Sequence, residues 1–202
     1  MVQALDAIGY SVDPREEGFL EGGYTVGLMS AEPQAVRIEV HPDLCRRTRY
    51  DIDVGSLFER SVPLGDSPAG RRMCDVDSLL YAAVHHALHG YRIQLLWLLD
   101  FALLAHVCGQ DDAVRERAGQ WGARTAMATS RRLAEALFGP LPLPPSRWSA
   151  GGYLEALVSA DHLRMNRFDD DRRARISSAV ALLDRGRAAY LFDSLLRRIT
   201  KK

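Results

Sequence analysis

The most regular hydrophobic pattern in the chain falls in residues 75–109, which predict two consecutive helices. The first helix carries an apolar stripe at helical spacing, made of Leu79, Leu80, Ala83, Val84, Ala87 and Leu88. At roughly 100° per residue, Tyr81, His85 and His89 fall on the opposite face. This first helix therefore has one face for a core and one polar aromatic face.

The second helix, 92–107, is apolar nearly all the way round, which is typical of a helix buried inside a domain. Asp100 lies in the middle of it. An unpaired buried carboxylate is strongly unfavourable, so we expect Asp100 to be buried and paired. Asp75 or Asp77 is suited to cap the start of the first helix, and Gly90 to end it.

Shorter patterns precede the helices and predict a small sheet. The predicted strands are 10–12, 18–20, 24–29 and 35–40. In the last strand every second residue is aliphatic, so Arg37, Glu39 and His41 share the opposite face. Three ionisable side chains on one strand face predict either a solvated surface or the floor of a cleft.

A Pro- and Gly-rich stretch, 62–70, separates the predicted sheet from a helical remainder, so we predict domains 1–70 and 71–202. A further strand at 49–54 and a helical turn at 56–60 precede that stretch. Further helices are predicted at 113–121, 125–138, 152–165 and 172–199. The predicted fold class is α+β, a small mixed or antiparallel sheet followed by a larger helical bundle.

Composition excludes several classes of partner. The 26 basic and 26 acidic side chains cancel, so no general attraction to nucleic acid or to an anionic membrane is expected. The longest apolar runs are shorter than the roughly 20 residues that a membrane span needs. Three widely spaced cysteines and the absence of a signal-peptide pattern indicate a reducing compartment. We therefore predict a cytoplasmic protein with no nucleic-acid or membrane partner.

Five segments carry a resemblance to a known family: IEVHPDL, DIDVGSLFERSVPL, RRMCDVDSLLYAAVHHALHG, LLWLLD and RRLAEALFG. Together they resemble the uncharacterised bacterial nucleotidyltransferases. That family has a D-[LIV]-H-W-like strand, a helix with H-x-x-x-H and a helix with W-L-x-D. The similarity spans residues 2–143, and the order and spacing of the segments carry it more than any single motif does.

The resemblance implies a metal-dependent chemistry and a place for one of its ligands. Nucleotidyltransferases of this fold hold Mg²⁺ with three carboxylates, because the metal takes oxygen ligands and bridges the nucleotide phosphates. Glu39 matches the third-carboxylate position, with His41 following it. The Gly-Ser turn and D-x-D strand that supply the other two are expected before residue 1, since 4–10 resembles the helix that follows them. Asp51 and Asp53 match a non-catalytic stretch, so the resemblance implies an incomplete metal site.

Each candidate site residue has a simpler interpretation. Glu39 is either a catalytic metal carboxylate or one half of an ordinary salt bridge with Arg37, and without its partners the second interpretation is favoured. Substrate contacts are candidates for both Arg37 and His41.

The helix pair offers a second candidate site. His85 and His89 have the i, i+4 spacing that grips a metal or a substrate, with Asp100 as a third group and His41 or water as a fourth. We favour a structural role in which Asp100 bonds a histidine, Tyr81 or an arginine. His86 lies nearer the apolar stripe and is expected to be a core histidine with a satisfied ring.

Three functions remain open from the sequence. The first is that the chain is a catalytically incomplete nucleotidyltransferase that retains nucleotide or partner binding. Alternatively, it is an enzyme whose missing carboxylates come from a second chain or from upstream residues. The third is an accessory helical interaction module in a biosynthetic pathway that binds a peptide or protein. Because an open sheet edge must pair or be covered, we also predict a homodimer or a partner subunit.

Overall fold

The computed structural model describes residues 6, 9–12, 26–30, 38–41, 44–45, 49–65, 70–91, 95–143, 180 and 184. The chain divides into two compact units, Met1–Arg46 and Arg47–Lys202. The domain limits expected from the sequence, 1–70 and 71–202, stay a prediction.

The first unit contains a three-stranded antiparallel sheet in the order β1-β2-β3. Its strands are β1 (Tyr10–Val12), β2 (Val26–Ser30) and β3 (Ile38–Val40). The predicted strand at 10–12 is confirmed with the same bounds, and those at 24–29 and 35–40 are confirmed in their described residues, with β2 continuing to Ser30. The predicted strand at 18–20 lies outside the described residues. The period-two pattern of the last strand holds, because Ile38 and Val40 are half-buried and Glu39 between them is exposed.

The second unit opens with a short helix, α1 (Val54–Arg60), which confirms the helical turn predicted at 56–60. Asp53 caps it: its Oδ2 accepts hydrogen bonds from the Ser56 backbone N–H at 2.9 Å and the Ser56 hydroxyl at 2.7 Å. The predicted strand at 49–54 is wrong. Residues 50–53 are irregular, and Asp53 is the N-cap of a helix instead.

A two-stranded hairpin follows, with β4 (Val62–Pro63) paired to β5 (Arg71–Arg72). The sequence predicted a loop over the whole of 62–70. That prediction is wrong for its first two residues, which form β4. The pairing continues one step further, where the Leu64 N–H donates to the Gly70 carbonyl at 2.8 Å. Such a short hairpin tolerates Pro63 because a proline lacks only the donor, which an edge position does not need.

Four helices complete the described part of this unit. They are α2 (Asp75–Leu88), α3 (Leu95–Cys108), α4 (Asp112–Gln120) and α5 (Arg124–Phe138). All four were predicted, and the break at Gly90 is confirmed by its φ of 58°. The next residue, Tyr91, has φ 57°, a left-handed conformation that is unfavourable for a large side chain. It is fully buried, and its hydroxyl donates to the Ala126 carbonyl at 3.2 Å, which holds the turn against α5.

The polar end of α2 is organised by a buried ion network that the sequence did not predict. Neither aspartate is the N-cap of the helix: Cys74 holds that position, and its side chain makes no capping hydrogen bond. Asp77 is instead fully buried, 3.0 Å from the Arg60 Nε and 2.8 Å from the Arg117 Nη1. Two guanidinium groups thus compensate one carboxylate and join α1, α2 and α4. Asp75 stays at the surface and pairs with Arg72.

The α2 stripe is confirmed: Leu79, Leu80, Ala83, Val84 and Ala87 are at most 1% exposed, while Leu88 is half-buried. The expectation that α3 is buried all round is wrong. Its buried side carries Leu98, Phe101, Ala102 and Ala105. Its exposed side carries five large apolar residues with 38–66% exposure: Leu95, Leu96, Leu99, Leu103 and Val107. The helix packs against α2 and α5 along one side, and its composition does not reveal which side that is.

The start of α5 is capped from far along the chain. The Asp184 carboxylate accepts hydrogen bonds from the backbone N–H groups of Thr125, at 2.6 Å, and Ala126, at 3.2 Å. Burial raises the pKa of Asp184 to about 6, although these hydrogen bonds oppose the shift. The helices predicted at 152–165 and 172–199 lie outside the described residues, except that Val180 and Asp184 are helical.

The predicted α+β class is confirmed: a three-stranded antiparallel sheet, the short helix α1 and a two-stranded hairpin precede the four longer helices along the chain. Across the described stretches, every helix is too short or too polar to cross a lipid bilayer.

Candidate functional site

A pocket of about 440 Å³ opens between α2 and α3. Its position follows from the Gly90 break, which turns the chain so that the polar face of α2 meets the first turns of α3. The residues that line it are Met73, Ser78, Tyr81, Ala82, His85, His86, Trp97 and Asp100. A pocket of this size suits a small molecule, and its walls are mostly apolar and aromatic.

Aromatic side chains form one wall of this pocket. The His85 ring centroid lies 4.6 Å from that of Trp97 with the planes at 62°, and His89 lies 5.4 Å from Trp97 at 67°. The two imidazoles are 4.4 Å apart, and Tyr81 lies 5.9 Å from His85. Tilted and edge-on contacts of this kind are favourable and fix ring orientation. His85 on α2 and His89, the residue that follows its last turn, therefore hold the indole of α3 in place.

His86 closes the inner end of the pocket and is electrically neutral. It is 1% exposed, and its Nδ1 lies 3.0 Å from the Ser130 hydroxyl, within hydrogen-bonding distance. Burial lowers the pKa of His86 to about 3, and nearby His85 contributes to the decrease. The expectation of a satisfied core histidine is confirmed, since the ring has a partner on α5 and carries no charge at neutral pH.

Asp100 lies at the mouth of the pocket and not in the core. The expectation that it is buried and paired is wrong, because its side chain is exposed on α3. Within the described part of the chain it makes no hydrogen bond or ion pair. An exposed carboxylate keeps its hydration, so it needs no partner to be tolerated in an apolar helix. Its carboxylate is therefore accessible from solvent.

A metal site on the helix pair is not supported. Among the described residues, no three His, Cys, Asp or Glu side chains come together in a way that could hold an ion. His85, His89 and Asp100 therefore do not form the three-ligand alternative. His85 and His89 make ring contacts with each other instead. Of these three residues, His85 and Asp100 line the pocket and His89 is not among its described lining residues.

Glu39 and His41 lie in the first unit, on the same face of the chain at β3. The His41 Nε2 is 3.8 Å from the Glu39 Oε2, and both side chains are partly exposed. Glu39 stands opposite Gly27 in the register of β2 and β3. Arg37 lies outside the described residues. The role of Glu39 as a metal carboxylate, and the substrate contacts of Arg37 and His41, stay predictions.

Of the residues that line the pocket, His85 and Asp100 are site candidates from the sequence, whereas Trp97 and His86 are not. The signal for Trp97 was present, since it opens the W-L-x-D motif that ends at Asp100. Met73 and Ser78 carried no comparable signal. Neither belongs to a motif, and single residues of these types precede or lie within helices in most proteins.

The comparisons with known proteins agree with the motifs. The model of a family described as uncharacterised nucleotidyltransferase matches residues 1–139. No curated protein matches the chain, and no solved structure matches it. The matched stretch contains β3, α2 and α3, and with them every residue of the α2–α3 pocket. The chain belongs to the uncharacterised nucleotidyltransferase family.

Proposed function

We propose that this chain is a nucleotidyltransferase-family protein that binds a substrate in the α2–α3 pocket. One observation carries the proposal: the H-x-x-x-H and W-L-x-D motifs lie on different helices, yet His85, Trp97 and Asp100 line the same pocket. Packing alone would be satisfied by many residue types at these half-exposed positions. A shared pocket gives both motifs a common purpose.

The chain, as proposed, binds a nucleotide together with Mg²⁺ at Glu39. Residues 1–202 alone do not complete nucleotidyl transfer. Nucleotidyl transfer needs about three oxygen-bearing protein groups around the metal. The family resemblance supports Glu39 as one of them, and its side chain is partly exposed and lies near His41. We propose that the other carboxylates, where transfer occurs, come from outside these residues.

Calorimetric titration with Mg²⁺ and each nucleoside triphosphate tests this proposal. Weak Mg²⁺-dependent binding is expected, with no pyrophosphate released on prolonged incubation, and Glu39→Gln should remove the Mg²⁺ dependence. The matched control is Glu59→Gln, an exposed acid on α1. Release of pyrophosphate by the chain alone would overturn the incomplete site. Absence of heat with every nucleotide would overturn nucleotide binding.

A second candidate function, an interaction module, is favoured by the exposed side of α3. Five large apolar side chains from Leu95 to Val107 form one continuous stripe there, and such stripes on soluble proteins mark protein interfaces. The occupant we propose is a second copy of this chain. In a dimer with two-fold symmetry the stripe of one copy packs against the same stripe of the other. An apolar surface is complementary to itself in this way, so no different partner surface is needed.

Light scattering coupled to size exclusion tests the dimer. The wild type is expected to be dimeric, Leu103→Glu monomeric, and Leu64→Glu, which changes an equally exposed leucine on the hairpin, still dimeric. A wild type that is monomeric at every concentration would exclude this candidate. So would a Leu103→Glu variant that remains a dimer.

A further inference from the structure

The charge inventory of the α2–α3 pocket is one-sided. The described residues that line it include no lysine and no arginine, and Asp100 is their one carboxylate. His86 cannot compensate, because burial keeps its ring neutral. Among these described residues, a phosphate or carboxylate ligand would meet the Asp100 carboxylate and neither a lysine nor an arginine, which is unfavourable. The pocket is therefore ill suited to the phosphate end of a nucleotide.

The same walls are favourable for a positive charge. An ammonium group near the face of a tryptophan or tyrosine is attracted by the ring quadrupole, and Trp97 gives the stronger attraction of the two. Both Trp97 and Tyr81 line the pocket, on facing helices. The indole is held by its contacts with His85 and His89, 4.6 and 5.4 Å between centroids, so it does not have to be ordered when a ligand binds.

We propose that the α2–α3 pocket binds a small organic cation, an amine whose ammonium group pairs with Asp100 while its carbon body lies against Trp97 and Tyr81. The volume of about 440 Å³ admits a small molecule and excludes a folded partner. This inference rests on the proposed function in treating the pocket as a substrate site, and it names that substrate's class. It also separates this substrate from the nucleotide, whose phosphates the pocket disfavours.

Three probes of nearly equal size test the charge preference. Phenethylamine is a cation, 2-phenylethanol its neutral counterpart and phenylacetate an anion. Each is titrated at pH 8, so that exposed imidazoles are uncharged, and binding is followed by the NMR shift of the Trp97 indole N–H, assigned with Trp97→Phe. The amine is expected to bind about tenfold more tightly than the alcohol, and phenylacetate the most weakly.

Asp100→Asn is the decisive variant, because it removes the charge and keeps the shape. It should reduce phenethylamine affinity about tenfold and leave the affinity of 2-phenylethanol unchanged. The control is Asp112→Asn, the same change at an exposed residue of α4 that does not line the pocket. Circular dichroism of each variant confirms folding.

The outcomes divide cleanly. Equal affinity for amine and alcohol, no shift with any probe, or an equal loss in the Asp112→Asn variant would overturn the organic-cation site. Its failure is distinguishable from that of the proposed function, because nucleotide binding is measured separately with Mg²⁺ and Glu39→Gln. An amine preference without nucleotide binding would retain the cation site and overturn the nucleotide part of the proposal.

Discussion

The helices α2 and α3 are neighbours of equal length, 14 residues each, and they are stabilised in opposite ways. The less apolar helix, α2, is the more deeply buried, and it places Asp77 and His86 inside the protein with partners. The more apolar helix, α3, leaves five large hydrophobic side chains in solvent. Burial is thus decided by what packs against a helix, and a polar residue is accepted inside wherever another element supplies its partner.

The largest effect is expected at the buried charge of α2. Asp77→Ala should lower the free energy of unfolding by about 3–5 kcal/mol, because Arg60 and Arg117 lose the carboxylate that compensates them. Urea denaturation followed by circular dichroism measures it. The neighbouring Asp75→Ala removes only a surface pair and should cost less than about 1 kcal/mol. Equal losses in the two variants would mean that the network contributes no more than a surface ion pair.

A matched pair of leucines tests the comparison directly. Leu80→Ala on α2 removes a fully buried side chain and should cost about 2–5 kcal/mol, through lost burial and a cavity. Leu103→Ala on α3 changes a side chain that is 56% exposed and should stay within about 0.5 kcal/mol for the monomer. Unfolding at low protein concentration keeps any self-association out of the measurement. A large loss at Leu103 would show that its exposed face is covered in solution.

Acid should destabilise the protein through the buried histidine of α2. The folded-state pKa of His86, about 3, lies below its usual value, so its contribution is present above pH 6.5 and is lost as the pH falls towards 3. In that window the unfolded chain takes up a proton that the folded chain does not. The slope attributable to this group approaches about 1.4 kcal/mol per pH unit. Urea unfolding of wild type and His86→Gln across this range should show a shallower pH dependence in the variant.

Asp184 acts in the opposite direction and provides the control. Its folded-state pKa is raised to about 6, so its contribution is fully present below pH 3.8 and is lost as the pH rises through 6. Asp184→Asn should therefore steepen the loss of stability on acidification. A variant with the wild-type slope would mean that the carboxylate is not held in the buried environment described.

The smallest effect on stability is expected at Asp100. Asp100→Ala should change the free energy of unfolding by less than about 0.5 kcal/mol, because the carboxylate is exposed on α3. Thermal unfolding suffices to measure this. A loss comparable to that of Asp77→Ala would restore the buried, paired carboxylate that hydrophobic patterning predicts.

Local signals in the sequence predict the helices that the structure describes in full. Gly90, Gly122 and Gly139 follow helical patterns, and each adopts a positive φ where a helix ends. The position of Asp77 could not be predicted in this way. An aspartate near a helix start is equally suited to capping or to an ion pair, and its partners lie 17 and 40 residues away. Local patterns contain no information about such distant contacts.

The candidate site was predictable in part for the same reason. Spacing placed His85 and Tyr81 on one face of α2, and the pocket lies against that face. Spacing gave no face to α3, because apolar residues occur all round it, so Trp97 resembled a core residue and Asp100 a buried one. Only the packing of α3 against its neighbours decides which of its sides lines the pocket.

The cap on α5 has a consequence for dissecting this protein. The stretch matched by the family model stops at residue 139, yet the first amides of α5 are bonded by a carboxylate 59 residues beyond Thr125. A fragment trimmed to the matched stretch would lose the acceptor of the Thr125 and Ala126 backbone N–H groups. It would also lose the buried Val180. The stretch that the family model matches therefore excludes residues that this helix contacts.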